Sequence, residues 1–320
     1  MSPTPRRIVA LAGGVGAARF LRGLVRAVDP GQLTVVANTG DDLVVHGLRV
    51  SPDVDTVVYT LGGGIDEARG WGRADDPTTV QDELASRYGE PTWFTLGDRD
   101  LATHVLRTAW LAEGATLSEA TAALAKAWGL GFTLRPMSDE RVTTRIDTED
   151  GRDLHFQQWW VGERGEPGVA GVRFDGADQA VPAPGVLGAV AAADAVILCP
   201  SNPVVSISPI LALPGVRAVL RATPTVGVSP VVGGRVLRGM ADRLLPVVGC
   251  RVDAAAVAGL YRDLLDGWVL DEADANRAEA AAEYADHVAV TDTMLAEPDA
   301  AQRVAEVVLD VAEQAMGTAS

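Results

Sequence analysis

Four carboxylates stand close together near the start of this chain. Asp41 and Asp42 close the segment Asn38-Thr39-Gly40-Asp41-Asp42, and Asp53 and Asp55 lie in Ser51-Pro52-Asp53-Val54-Asp55-Thr56. A glycine-rich turn, Ala12-Gly13-Gly14-Val15-Gly16-Ala17-Ala18-Arg19, precedes them. Amides in such a turn can hold phosphate, and carboxylate oxygens can hold the divalent cation that neutralises it. Together they suit metal-assisted chemistry on a phosphorylated, nucleotide-bearing ligand. Each half also has a plainer reading: a tight turn, and solvated loop carboxylates with a helix cap.

The turn departs from two familiar patterns. As a dinucleotide fingerprint it fails at Arg19, where Gly or Ala is required, and at Asn38, where an acidic residue would meet a ribose. As a Walker A loop it lacks the Gly-Lys-Ser/Thr ending. Asp53 and Asp55 follow Pro52 and fall in the first turn of a helix. Residues two apart on a helix face different ways, so only one of the two is expected to point into a site.

Further polar turns follow candidate strands. Leu96-Gly97-Asp98-Arg99-Asp100 offers Asp98 as a helix cap and Arg99 as a charged reader. Cys199-Pro200-Ser201-Asn202-Pro203 and Ser229-Pro230-Val231-Val232-Gly233-Gly234 offer hydroxyl and amide groups. Several such turns at one end of one sheet suggest a shared crevice. His46, His104, His155 and His287 lack metal-ligand spacing, and no Gly-x-Ser-x-Gly elbow occurs.

The elements that must position these residues read as βα units. Strands are expected at Arg7–Ala12, Leu33–Asn38, Ala195–Cys199, Thr225–Val228 and His287–Val290. Helices are expected at Ala17–Val28, Thr78–Arg87, Asp100–Ala112, Ser118–Trp128, Asp253–Leu265 and Ala300–Gln314. Thr116 and Glu119 have capping-box spacing. Between Val142 and Phe174 the residues alternate around Glu149-Asp150-Gly151-Arg152, with Leu154–Val161 as one arm, which predicts an antiparallel hairpin. Its aromatic residues could wall a ligand site. The expected fold is α/β: a doubly wound, Rossmann-like, mostly parallel sheet with an inserted antiparallel β-hairpin region. Residues 1–320 are expected to form one domain, with roughly 139–180 as a β-rich segment covering the substrate.

Composition limits the partners. The chain has 320 residues, 48% of them hydrophobic, enough for a large core. With 27 basic and 43 acidic residues the net charge is -16, which disfavours nucleic acid and anionic membrane. A polyphosphate would need a cation and local arginines to approach. Cys199 and Cys250 read as buried small hydrophobes in a reducing compartment. The start Met1-Ser-Pro-Thr-Pro-Arg-Arg has no export signal, and no segment has the apolar length of a membrane span. A cytoplasmic location is expected.

One ordered set of motifs goes further. Gly13-Gly14-Val15-Gly16, Asn38 to Asp42, Ser51 to Thr56, Leu96 to Asp100 with Ala102-Thr103-His104, Arg135-Pro-Met-Ser-Asp139, His155-Phe-Gln157, Gly165-Glu-Pro167, Pro200-Ser-Asn-Pro203 and Ser229-Pro230 occur in this order. Over nearly its whole length the chain resembles the 2-phospho-L-lactate transferases of coenzyme F-420 biosynthesis, in their actinobacterial phosphoenolpyruvate transferase form. The resemblance implies transfer of a phosphoenolpyruvyl or 2-phospho-L-lactyl group from a guanosine diphosphate ester to the ribityl hydroxyl of the deazaflavin Fo, releasing GMP.

Carried over by position, it implies Mg2+ held by Asp41 and Asp55, with Asp55 also near the deazaflavin hydroxyl and a candidate base. Thr95 falls at a second deazaflavin position, and Asp53 and Arg99 join the substrate contacts. Gly13, Gly14 and Gly16 would approach phosphate, and Ser201, Asn202 and Ser229 the nucleotide. A homodimer is also implied. The rival is a nucleotide-sugar-binding regulator of the gluconeogenesis-factor type, which has the same fold. Arg135-Pro-Met-Ser-Asp139 and the Asp53/Asp55 pair favour the transferase. A nicotinamide-dependent oxidoreductase is disfavoured by Arg19 and Asn38.

Overall fold

The fold is built on short, mainly apolar parallel strands, most of them linked through turns and helices. In the computed structural model, which describes residues 6–318, the chain runs β1 (Ile8–Ala12), α1 (Gly14–Ala27), β2 (Leu33–Ala37), β3 (Leu43–Val45), β4 (Leu48–Val50) and α2 (Pro52–Leu61). It continues through α3 (Thr79–Tyr88), α4 (Asp100–Ala112), α5 (Leu117–Ala127), β5 (Thr133–Pro136), β6 (Thr143–Thr148), β7 (Asp153–His155) and β8 (Val169–Asp175). Then come β9 (Ala195–Leu198), β10 (Thr225–Val228), β11 (Val231–Val232), β12 (Arg235–Val236), β13 (Gly267–Asp271), β14 (His287–Thr291) and a C-terminal helix, Pro298–Thr318. The stretch Met1–Pro5, on which the expected absence of an export signal rests, lies outside the described residues.

Seven strands form one parallel sheet in the order β14-β13-β10-β9-β1-β2-β5. The chain leaves β1 toward β2 and β5, then returns to lay β9 against the other side of β1. The direction of winding therefore reverses between β1 and β9, and a parallel sheet opens a crevice at the carboxyl ends of the strands there. The α/β, doubly wound, Rossmann-like architecture follows the sequence pattern.

Side chains alternate across the strands, so each strand serves two cores. On one face Val9, Leu11, Val196 and Leu198 pack with Ile210, Leu220 and Trp268. On the other, Ile8, Ala10, Ala12 and Ile197 pack under α1, α2 and the C-terminal helix, against Phe20, Val58 and Val308. Helix α1 lies so close to the C-terminal helix that a Cβ on Gly23 would stand 2.1 Å from the Ala301 carbonyl.

Several expectations shift. Helix α1 begins at Gly14, three residues before the predicted start, and the predicted helix over Asp253–Leu265 shortens to Ala254–Gly259. Strands β5 and β13, with the small β3–β4 hairpin, were not anticipated. The hairpin around residues 149–152 is present as β6–β7, with β8 as a third strand. Its predicted arm Leu154–Val161 is strand only to His155. Beyond that the backbone coils into a wide turn over Gln158–Gly162, closed by the Glu163 amide on the Gln158 carbonyl at 2.8 Å. The turn buries Trp159 and brings Phe156 and Trp160 face to face at 5.5 Å. A strand would have left the two rings on one face but about 13 Å apart, too far to stack. Both cysteines are free and buried, and burial pushes the Cys250 thiol up to about 11.

Two glycines make the packing testable. Gly23→Ala should lower stability by about 1–3 kcal/mol, because the new methyl meets backbone that cannot rotate away. Gly188, exposed in the helix Val186–Ala192, has open space where a Cβ would go. Gly188→Ala should be neutral or raise stability by up to about 1 kcal/mol. Denaturant midpoints of the two variants check both outcomes.

Candidate functional site

The crevice predicted by the strand order is occupied by a cavity of about 480 Å³. Its floor is the turn after β1: Gly13, Gly14 and Gly16 all line it, with Pro200, Ser201 and Asn202 after β9 and Ser229 after β10. These glycines are required by proximity. A Cβ on Gly13 would stand 2.6 Å from both the Asp53 carboxylate and Ser206 Cβ, and one on Gly16 would stand 2.3 Å from the Pro200 carbonyl. Gly14 also has a φ of +71°, which side chains rarely adopt. The Gly13 amide reaches Ser201 Oγ at 3.4 Å, and the Gly14 amide bonds to Asp53, so two of the turn's amides already have partners.

Asn38, at the end of β2, organises the acidic groups. Its Nδ2 donates to Asp41 Oδ1 at 2.9 Å and to Asp53 Oδ2 at 2.9 Å, and its Oδ1 accepts from the Gly40 amide at 2.9 Å. Gln157, from the wide turn of the insertion, donates to Asp41 Oδ2 at 2.7 Å. Asp41 and Asp53 are both buried and both line the cavity. Burial, then the charges of Asp53 and Asp42, hold Asp41 well above the usual carboxylate range. Burial pushes Asp53 up to about 6 against the hydrogen bonds from Asn38 and Gly14. Among the described residues no arginine, lysine or histidine ion-pairs with either carboxylate. A cation is therefore the missing partner that their chemistry fits.

The other member of each aspartate pair faces elsewhere. Asp42 lines a separate cavity of about 50 Å³ with Thr39, Ser51 and Arg107, where burial pushes it up to about 8 against the hydrogen bond from Ser51. Asp55 is taken up by Arg107, whose Nη1 donates to Oδ2 at 3.1 Å and whose Nη2 bonds Oδ1. Arg107 is completely buried, and His104 lies between Asp55 and Asp100, 3.7 Å and 3.2 Å away. Tyr59 donates to Asp100 at 2.5 Å. This cluster ties α2 to α4. The metal-ligand, base and substrate roles expected of Asp55 thus meet a carboxylate that is already neutralised and lies outside the cavity lining. Asp53 is the member of its pair that faces in.

Thr95 and Arg99 also lie outside the lining. The Arg99 amide donates to Asp76 at 2.6 Å and its guanidinium reaches only the Ala74 carbonyl, at 3.5 Å. Asp98, expected to cap α4, instead accepts from the Val80 amide at the start of α3. The expected hydroxyl and amide donors after β9 and β10 are partly spent locally: Asn202 Oδ1 accepts from the Val204 and Val205 amides, and Ser229 Oγ donates to the Val231 carbonyl. The aromatic wall is present, as Phe156 and Trp160.

Three lining residues went unread in the sequence as ligands: Arg19, Arg69 and Arg238. Arg19 was visible only as the residue that spoils a dinucleotide fingerprint. The other two belong to segments without a motif. Among the described residues no three His, Cys, Asp or Glu side chains are grouped to hold a metal, so a cation here would have two protein carboxylates and take its other ligands from phosphate and water.

The chain is similar to known proteins over nearly its whole length. A family model described as 2-phospho-L-lactate transferase CofD matches residues 8–314. The chain is 48% identical over 318 residues to a phosphoenolpyruvate transferase of Thermobifida fusca, covering 96% of this chain and 98% of that protein. It is 44% identical over 327 residues to one of Mycolicibacterium smegmatis, covering 96% and 98%. A crystal structure of a UPF0052 family protein from Bacillus halodurans superposes with a TM-score of 0.60, covering 95% of this chain and 98% of that one, at 14% identity. That last likeness concerns the fold alone.

The two faces of α2 should separate on mutation. Asp55→Asn leaves Arg107 charged and buried with a weaker partner, and should cost about 3–5 kcal/mol. Asp53→Asn should leave the metal-free protein as stable or more so at pH 7. The folded pKa of Asp53 lies above its unfolded value, so its stabilising contribution is present at low pH and is lost as pH rises through about 6. Removing the carboxyl removes that loss. Unfolding midpoints at pH 5 and pH 7, without divalent cations, test both signs.

Proposed function

The chain belongs to the 2-phospho-L-lactate transferase family, and from that premise we propose that it moves a phosphoenolpyruvyl group from a guanosine diphosphate ester to the ribityl hydroxyl of the deazaflavin Fo. GMP is released, and dehydro coenzyme F-420-0 is formed. Membership supports the coarser statement of a transferase of the phosphoenolpyruvyl or phospholactyl type. The donor, the acceptor and the cation are our reading. The observation that carries it is the buried Asp41–Asn38–Asp53 arrangement beside a glycine turn at the switch point of the sheet.

In this reading Asp41 and Asp53 would hold Mg2+, while Asn38 bonds both carboxylates and Gln157 bonds that of Asp41. Bound there, the cation supplies charge neutralisation to the diphosphate. The glycine turn lets the donor approach the backbone, and Phe156 and Trp160 offer a flat apolar surface for a ring. The hydroxyl oxygen attacks the phosphorus that bears the three-carbon acid. One P–O bond forms, the bridging P–O bond to GMP breaks, and the hydroxyl proton passes to the departing GMP phosphate or to water. Such a transfer depends on in-line placement and charge neutralisation more than on covalent catalysis. Asp55 has no part in these steps; it fixes α2, and hence Asp53, from the opposite side.

A mass-resolved assay with Mg2+, Fo and the enolpyruvyl or lactyl ester should yield the deazaflavin phosphodiester and an equal amount of GMP. Asp41→Asn and Asp53→Asn should each reduce kcat by at least about 100-fold. Chelation of divalent cations should abolish turnover, and Mg2+ should restore it. Nucleotide binding without product from either ester would sink the reading and favour a regulatory binding protein.

A further inference from the structure

The cavity lining also carries arginines. Arg19 sits on α1, one turn past the glycines, and Arg238 sits beyond β12, on the segment that follows the β11–β12 hairpin. Arg69 is neutralised locally, its Nε donating to Asp66 at 2.8 Å while its guanidinium lies over Trp71 at 4.9 Å. Arg19 and Arg238 have no such partner: among the described residues no carboxylate ion-pairs with either. Burial and the charge of Arg238 both make the Arg19 cation harder to keep, with Glu67 only partly compensating.

Two like charges held near each other around a cavity, in a protein of net charge -16, need a reason. The hairpin segment is fixed in this position. Arg238 Nη1 donates to the Arg69 carbonyl at 2.7 Å, and a Cβ on Gly70 would stand 2.6 Å from that same nitrogen. One guanidinium edge is thus used to seat the segment against residues 66–73. The rest of the fork remains for a ligand.

We propose that Arg19 and Arg238 form the cationic half of a clamp on the donor's diphosphate, in the same cavity as Asp41 and Asp53. This deepens the transferase reading and rests on it for the identity of the donor, although the anion site itself does not. A guanidinium fork matches two phosphate oxygens at once. Arg19 is fixed on a helix, whereas Arg238 arrives on a hairpin segment. The diphosphate would then be held both by a carboxylate-bound cation and by arginine, the kind of charge neutralisation that phosphoryl transfer requires.

The test is calorimetric titration of inorganic pyrophosphate and of GDP, each with Mg2+, into the wild-type chain and into Arg19→Gln, Arg238→Gln and Arg221→Gln. Arg221 is an exposed arginine paired with Asp263 at the opposite, amino-terminal edge of β10, and it controls for the loss of one positive charge. The Arg19 and Arg238 variants should each bind both ligands about 10- to 100-fold more weakly. Arg221→Gln should bind as wild type does. Because Arg238 is exposed, its variant should keep the wild-type unfolding midpoint, so weakened binding there is not global unfolding, and Arg238→Lys, which keeps the charge but not the fork, should bind more tightly than Arg238→Gln.

Unchanged pyrophosphate and GDP affinity in both variants, or equal weakening in Arg221→Gln, overturns the clamp; so does a wild-type chain that binds neither ligand. Turnover of the enolpyruvyl and lactyl esters is followed in parallel. Normal turnover with unaffected binding removes the clamp and leaves the transferase reading intact. Binding that depends on the arginines, without turnover of either ester, removes the transferase reading and leaves the clamp.

Discussion

Two carboxylates buried side by side repel each other, and in this protein a single amide holds them together. Asn38 donates to Asp41 and to Asp53, and its own oxygen is fixed by the Gly40 amide. The interaction dictates much of its surroundings. Strand β2 must end just before Asn38, the next turn must bring Asp41 back, and α2 must begin near enough for Asp53 to reach. Gly13 can carry no side chain, because Asp53 and Ser206 already occupy that space. A buried charge pair of this kind costs stability unless something neutralises it. Its retention fits a site for a cation that arrives with substrate.

The cluster on the far side of α2 completes the arrangement. Arg107 is fully buried and satisfies Asp55, and the His104, Asp100 and Tyr59 side chains join α2 to α4. A helix held from both sides has little freedom to shift its first turn. Asp53 therefore meets Asn38 with its geometry set in advance, which is the condition for fixed charges to act on a transferring group without reorganisation. The insertion takes part as well. Gln157 reaches from its wide turn to Asp41, the Thr144 amide of β6 donates to the Gly40 carbonyl, and His155 Nε2 lies 3.2 Å from the Asp42 carbonyl, so the β6–β8 sheet is coupled to the acidic centre.

Much of this was legible in the chain. Apolar runs with turn residues between them marked β1, β2, β9, β10 and β14, and the motif order pointed to the family. Strand β13 is hard to read because only Trp268, Val269 and Leu270 are apolar between Gly267 and Asp271. The insertion was misread past His155, since alternation continues there while Phe156 and Trp160 stack on each other.

Helical spacing correctly required Asp53 and Asp55 to diverge, but it could not say which faced in. Residues 53–60 of α2 are buried on every side, so the helix has no polar face to orient it. Arg19, Arg69 and Arg238 come together only through the fold, and no local spacing could announce them.

The most direct measurement is the anomalous scattering of Mn2+, used in place of Mg2+, in crystals grown with GDP. A single peak coordinated by Asp41 and Asp53, at about 2.2 Å from a carboxylate oxygen of each, is the predicted result. A metal bound instead at Asp55, or a diphosphate bound in the cavity with no metal at Asp41 and Asp53, would contradict the account.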